Sequence, residues 1–136
     1  MATATPADVE VVRAIYAAMA TRDLDQLFTL IDPESVITQD EALPWGGRWV
    51  GHDGFTSFAL ALTGSIDSAV TIEALFAADD EVIEVGRTKG TVVATGVPFD
   101  IPEVHRWTLR EGRAVAGHFA IDTPAMLAAL AAPPEG

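Results

Sequence analysis

The chain has 136 residues, 49% of them hydrophobic and 21% charged, with a net charge of −12 and no cysteine. That length is one domain able to bury a real core, and the missing cysteines exclude disulfides, thiol catalysis and thiolate metal sites. The acidity argues against a nucleic-acid or anionic-membrane partner, which would be repelled at long range. The opening "MATATPADVEVV" lacks the basic patch and apolar stretch of a secretory signal, and no run is long enough to cross a membrane. The expectation is a single domain over 1–136, soluble and cytoplasmic.

"PADVEVVRAIYAAMATRD" carries Val9, Val12, Tyr16 and Met19 at helical spacing, with Val11 and Ile15 widening the stripe. Pro6 suits a first turn, and Asp8 and Glu10 suit the positive end of the helix dipole. "DLDQLFTLID" predicts a second helix, stopped by Pro33, and "SVIT" a short strand. A loop rich in glycine and tryptophan, "LPWGGRWVGHDG", leads into a third helix over "GFTSFALALTG". Its glycines allow a sharp turn, while Trp45 and Trp49 bring large amphipathic surface, suited to a lid or wall over a ligand.

From Ile66 the period changes to that of strands. "AVTIEALFA", "EVIEVGRTKGTVVAT", "PEVHRWTL" and "RAVAGHFAI" are β-branched or alternating, with turn residues between them. "DTPAMLAAL" closes the pattern as a short helix capped by Asp122 or Thr123, before a frayed "AAPPEG" tail. Helices first and strands afterwards predict an α+β fold: a cone-shaped, curved antiparallel sheet covered by three N-terminal helices, with a short C-terminal helix. Three short helices do not fill such a sheet, which leaves room for a cavity.

"VVRAIYAAMATRDLDQLFTLIDPES", the Pro-aromatic-Gly-Gly loop with "GHDGFTSF", "VHRWTLREGRAV" and "FAIDTPAMLAAL" together resemble the nuclear transport factor 2-like superfamily. The closest flavour is the SnoaL-like polyketide cyclases and ketosteroid isomerases. The resemblance implies a cone with a deep apolar pocket, usually dimeric. The isomerases' helix-1 tyrosine falls on Ile15 by eye, with Tyr16 rotated about 100° from it. Their aspartate base falls on Gln39, beside Asp40, and their neutral aspartic acid on His105. The acid that related enzymes carry on the last strand falls near Phe119, and Asp122 reads as a helix cap.

In "IPEVHRWTL", Ile101, Glu103, His105, Trp107 and Leu109 share one face, and the apolar members turn Glu103 and His105 inward with them. A buried glutamate and histidine on an apolar face mark either a pocket site or a structural pair that satisfies each other's hydrogen bonds. The "REGR" turn sets what lies opposite. A two-residue Glu111-Gly112 turn pairs Arg110 with Arg113 and puts His105 across from His118. A type I turn with a Gly112 bulge pairs Leu109 with Arg113, Trp107 with Val115, His105 with Gly117 and Glu103 with Phe119. The second keeps the large apolar residues together and is preferred, leaving open space over Gly117. Ala114, Ala116, His118 and Ala120 then form a flat outer face suited to a homodimer.

The site expected from these readings has His105 and Glu103 as catalytic residues. Tyr16, Gln39, Trp45, Trp49, Phe58, Trp107, Gly117 and Phe119 line its substrate pocket. No metal is expected, because His52, His105 and His118 lack ligand spacing, and no cofactor motif is present. The expected activity is isomerase- or cyclase-type proton transfer on a small hydrophobic carbonyl compound; the alternative is a non-catalytic ligand-binding or stabilising protein.

Overall fold

The structure, a computed structural model, describes residues 3–134. Among these, four helices and six strands follow in the order α1 (Pro6–Thr21), α2 (Leu24–Leu30), β1 (Ile31–Gln39), β2 (Gly47–Val50), α3 (Gly51–Ser65), β3 (Ile66–Ala78), β4 (Glu81–Val92), β5 (Pro98–Arg110), β6 (Arg113–Ile121) and α4 (Thr123–Ala131). The end of the predicted tail, Glu135 and Gly136, lies outside the described residues.

Helices α1, α2 and α4 begin where the sequence supplies a cap, whereas α3 follows Val50 with no side-chain cap. Thr5 and Asp8 form a reciprocal capping box at α1, with Pro6 in its first turn. Asp23 caps α2, and Asp122 caps α4 by accepting the Ala125 N–H at 3.1 Å. The second helix is shorter than the apolar pattern suggests. It ends at Leu30, and the chain turns extended at β-branched Ile31, so Pro33 lies inside β1 instead of stopping a helix. β2, with Trp49 in it, arises within the segment expected to be a loop.

The strands form one curved sheet in the order β2-β1-β6-β5-β4-β3. All pairs are antiparallel except β1 with β6, which run parallel. Helices α1, α2 and α3 pack over one face, and the buried core between them holds Val12, Ile15, Leu27, Phe55, Phe58, Trp107 and Phe119. Along β5 burial alternates strictly, with Phe99, Ile101, Glu103, His105, Trp107 and Leu109 all inward, as the period of two predicts. No helix among the described residues is long and apolar enough to cross a membrane.

The β5–β6 hairpin differs from the preferred register. Glu111 and Gly112 both have positive φ (52° and 75°) and make a two-residue turn that pairs Arg110 with Arg113. The extra residue is absorbed higher up, where Thr108 pairs with Ala116 but Leu109 with Ala114, leaving Val115 unpaired as a bulge. Trp107 therefore faces Gly117, His105 faces Phe119 and Glu103 faces Ile121. This arrangement satisfies both the turn chemistry and the apolar pattern. It also moves Ala114 inside: Ala114 is 1% exposed and belongs to the core, not to the outer alanine face.

Candidate active site

The concave face holds a cavity of about 530 Å³. Glu103, His105, Trp107 and Phe119 line it from the sheet, and Tyr16, Gln39, Trp45 and Phe58 from the helices and the strand-to-loop edge. Two residues expected there lie elsewhere. Trp49 is outside the lining; its indole donates to the Trp45 carbonyl at 3.2 Å and packs against Phe58. Gly117 is buried and faces no open space. A Cβ there would stand 3.1 Å from the Phe119 ring and 3.3 Å from the Trp107 ring, so the glycine makes room for its own core aromatics.

At the inner end of the cavity three elements bring polar groups together. α1 presents Tyr16 rather than Ile15, which is fully buried and outside the cavity lining. The Trp107 indole N–H donates to the Tyr16 hydroxyl at 2.9 Å, and that hydroxyl shares a 2.7 Å hydrogen bond with His105 Nδ1. Glu103 Oε2 lies 3.3 Å from the same nitrogen, and Glu84 Oε2, from β4, lies 3.4 Å from it. Nδ1 is thus enclosed. Nε2 has no partner among the described residues and is the ring nitrogen left for the cavity.

Glu84 was not visible as a site residue in the sequence. Val82, Glu84, Gly86 and Thr88 are the inward residues of β4, which puts the larger Ile83 and Val85 on the other face. A period-two reading by size would have turned Glu84 out to solvent. The signal that would have found it is Gly86, a strand glycine that marks a close approach of something else. A Cβ at Gly86 would collide with Glu84 Oε1 and with the Thr71 carbonyl.

Burial dominates the electrostatics. It holds the Tyr16 hydroxyl far above its ordinary value, with the Glu84 charge as the next cause. Burial also raises the Glu84 carboxyl. Glu103 is pushed up to about 10, first by burial and then by the neighbouring Glu84 carboxyl. His105 is pushed down to about 3 by burial, with the His118 charge adding to the effect, so the imidazole rests neutral. All four carboxyl oxygens of Glu84 and Glu103 are buried without a hydrogen-bond partner among the described residues.

Glu84, Glu103 and His105 could also hold a cation, since one ligand atom from each lies within 4.8 Å of the others. Two oxygens and one imidazole nitrogen suit a hard or borderline divalent ion. The other two histidines are engaged elsewhere: His52 with the Ile31 carbonyl and stacked on Phe28, His118 with Thr38.

The family model for the SnoaL-like domain matches residues 12–117. The chain belongs to the SnoaL-like family. No curated protein matches this SnoaL-like chain in sequence. Among solved structures, an NTF2-like protein from Burkholderia thailandensis is 27% identical, over 97% of this chain and 100% of that one, with a TM-score of 0.84. TerC, co-crystallised with polyporic acid, is 22% identical over 93% and 99%, with a TM-score of 0.86. A ketosteroid isomerase-like fold from Catenulispora acidiphila, in complex with trimethylamine, is 21% identical over 96% of each chain, with a TM-score of 0.78. The last two likenesses speak for the fold alone.

Proposed function

We propose that this SnoaL-like protein is an enzyme that moves a proton next to the carbonyl of a small hydrophobic substrate, as in isomerisation or cyclisation. The observation that carries this reading is the position of His105, tied at Nδ1 and open at Nε2 towards an apolar cavity. Nε2 takes the substrate proton, and the Glu103 and Glu84 carboxyls beside Nδ1 together steady the imidazolium that forms. Aromatic walls from Trp45, Phe58 and Phe119 hold an apolar ligand and exclude water. TerC, whose fold is shared, was co-crystallised with a small molecule, polyporic acid. We place the protein in the cytoplasm as a homodimer joined through the outer face of the sheet.

His105→Gln keeps the size and polarity of the side chain but cannot take up a proton. Screened against cyclic ketones and enones, the folded variant should turn over any accepted substrate roughly 10²–10⁴-fold more slowly. Unchanged turnover in the folded variant would remove His105 from the mechanism. The second reading, a non-catalytic ligand-binding protein, is favoured by Gln39. It lines the cavity at the isomerases' base position and has no proton to exchange. Stoichiometric ligand binding without conversion would decide for it.

A further inference from the structure

Glu84 has no part in the cavity wall, yet it is fully buried and its carboxyl reaches the one nitrogen of His105 that the cavity does not see. Its backbone explains how. Glu84 pairs with His105 across the β4–β5 ladder, and Gly86, two residues on, pairs with Glu103. The Glu84 carboxyl therefore occupies the gap that Gly86 leaves without a side chain, with Glu103 on the neighbouring strand beside it. Among the described residues, no lysine or arginine comes within ion-pair distance of either carboxyl; the only basic partner is His105. Two ionised carboxylates this close and this buried would repel strongly with nothing to offset them.

We propose that Glu84 is a positioning residue for His105: Glu84 and Glu103, at 3.4 and 3.3 Å from its Nδ1, share one proton, and the pair's single negative charge holds the His105 proton on Nδ1. The proposal rests on the reading of His105 as the proton acceptor and adds the group that sets its tautomer. The bonding pattern closes consistently. With Nδ1 protonated, the Tyr16 hydroxyl accepts from Trp107 Nε1–H and from Nδ1–H. Nε2 then carries a lone pair towards the cavity. When Nε2 takes a substrate proton, the imidazolium lies against one negative charge and the site ends with no net charge. Of the other titratable groups, Tyr16 from α1 touches this cluster, while Glu73 from β3 further raises Glu84 and His118, on the other face of β6, further lowers His105 through their charges.

The test needs no substrate, so it stands or falls separately from the proposed reaction. Histidine-15N-labelled protein at neutral pH should show His105 neutral with the proton on Nδ1. Infrared spectroscopy should show a protonated carboxyl stretch that is lost in Glu103→Gln. Glu84→Gln keeps the shape but removes the charge, and His105 should lose the Nδ1–H form in favour of Nε2–H, with Glu84→Asp restoring it. A purely structural role for Glu84 would leave the tautomer unmoved. An Nε2–H form in the wild type, or the absence of a protonated carboxyl there, overturns the proposal without any variant having to fold. So does stoichiometric binding of Mn2+ or Zn2+ by the wild type that Glu84→Gln abolishes, since the three side chains would then be metal ligands.

Discussion

Tyr16 links the two halves of the site, because one hydroxyl serves both Trp107 and His105 in a buried setting. Tyr16→Phe leaves the ring packing intact and strands two buried polar nitrogens. The expected loss is roughly 1–3 kcal/mol, measured by urea unfolding; an unchanged midpoint and slope would mean that the nitrogens find other partners. Glu103 gives a second prediction, for pH. Its folded-state value, about 10, lies above the ordinary 4.5, so the native state holds a proton that the unfolded chain gives up. Stability should fall as pH rises between those values. His105 works on the acid side: held near 3 against 6.5, it leaves the unfolded chain to take the proton first, so stability falls as pH drops through that window. Glu103→Gln should therefore flatten the alkaline decline and leave the acid limb in place. Parallel alkaline limbs for variant and wild type would refute the assignment. Glu103, His105 and Trp107 were legible at this scale, because period-two alternation beside large apolar residues fixes their direction. Glu84 was not, since Ile83 and Val85 gave the opposite face the stronger apolar signal.

At the scale of elements, caps and turns were more legible than ends and registers. Thr5, Asp23 and Asp122 cap because short polar side chains reach the first free N–H groups, a rule that depends only on local sequence. The end of α2 depends on tertiary pairing: Ile31 joins the sheet opposite Ala114, and that parallel ladder wins over a further helical turn. The β5–β6 register escaped for a related reason. Two devices, a two-residue turn and a bulge at Val115, were each sufficient alone in the sequence, and the structure uses both. The turn itself yields a prediction. Gly112 sits at φ 75° with open space around it, so the cost of a side chain there is conformational rather than steric. Gly112→Val should destabilise by about 1–2 kcal/mol, because a β-branched residue resists left-handed backbone. A neutral result in denaturant unfolding would mean that the hairpin adopts another turn.

For the whole molecule the cavity follows from a curved sheet with too few helices to fill it, which the order of elements already implied. The outer face is the part that remains unclaimed. Val85, Val104 and Ala120 are register partners across three adjacent strands and make an apolar row there, with Val104 41% exposed. Ala116 lies on the same face further along β6, opposite Thr108 and beyond the Arg106–His118 pair, while Ala114, expected on this face, is inside because of the bulge. A solvated sheet face alternates polar residues outward, so a row of this kind fits a two-fold contact between copies, in which the same residues meet themselves. Val104→Arg tests it with little risk to the fold, since the side chain is already exposed. Two such charges near a two-fold axis would be poorly hydrated and mutually repelling. The wild type should sediment as a dimer at micromolar concentration and Val104→Arg as a monomer, with an unchanged far-ultraviolet spectrum. A monomeric wild type, or a dimer that tolerates the arginine, would place the contact elsewhere or nowhere on this face.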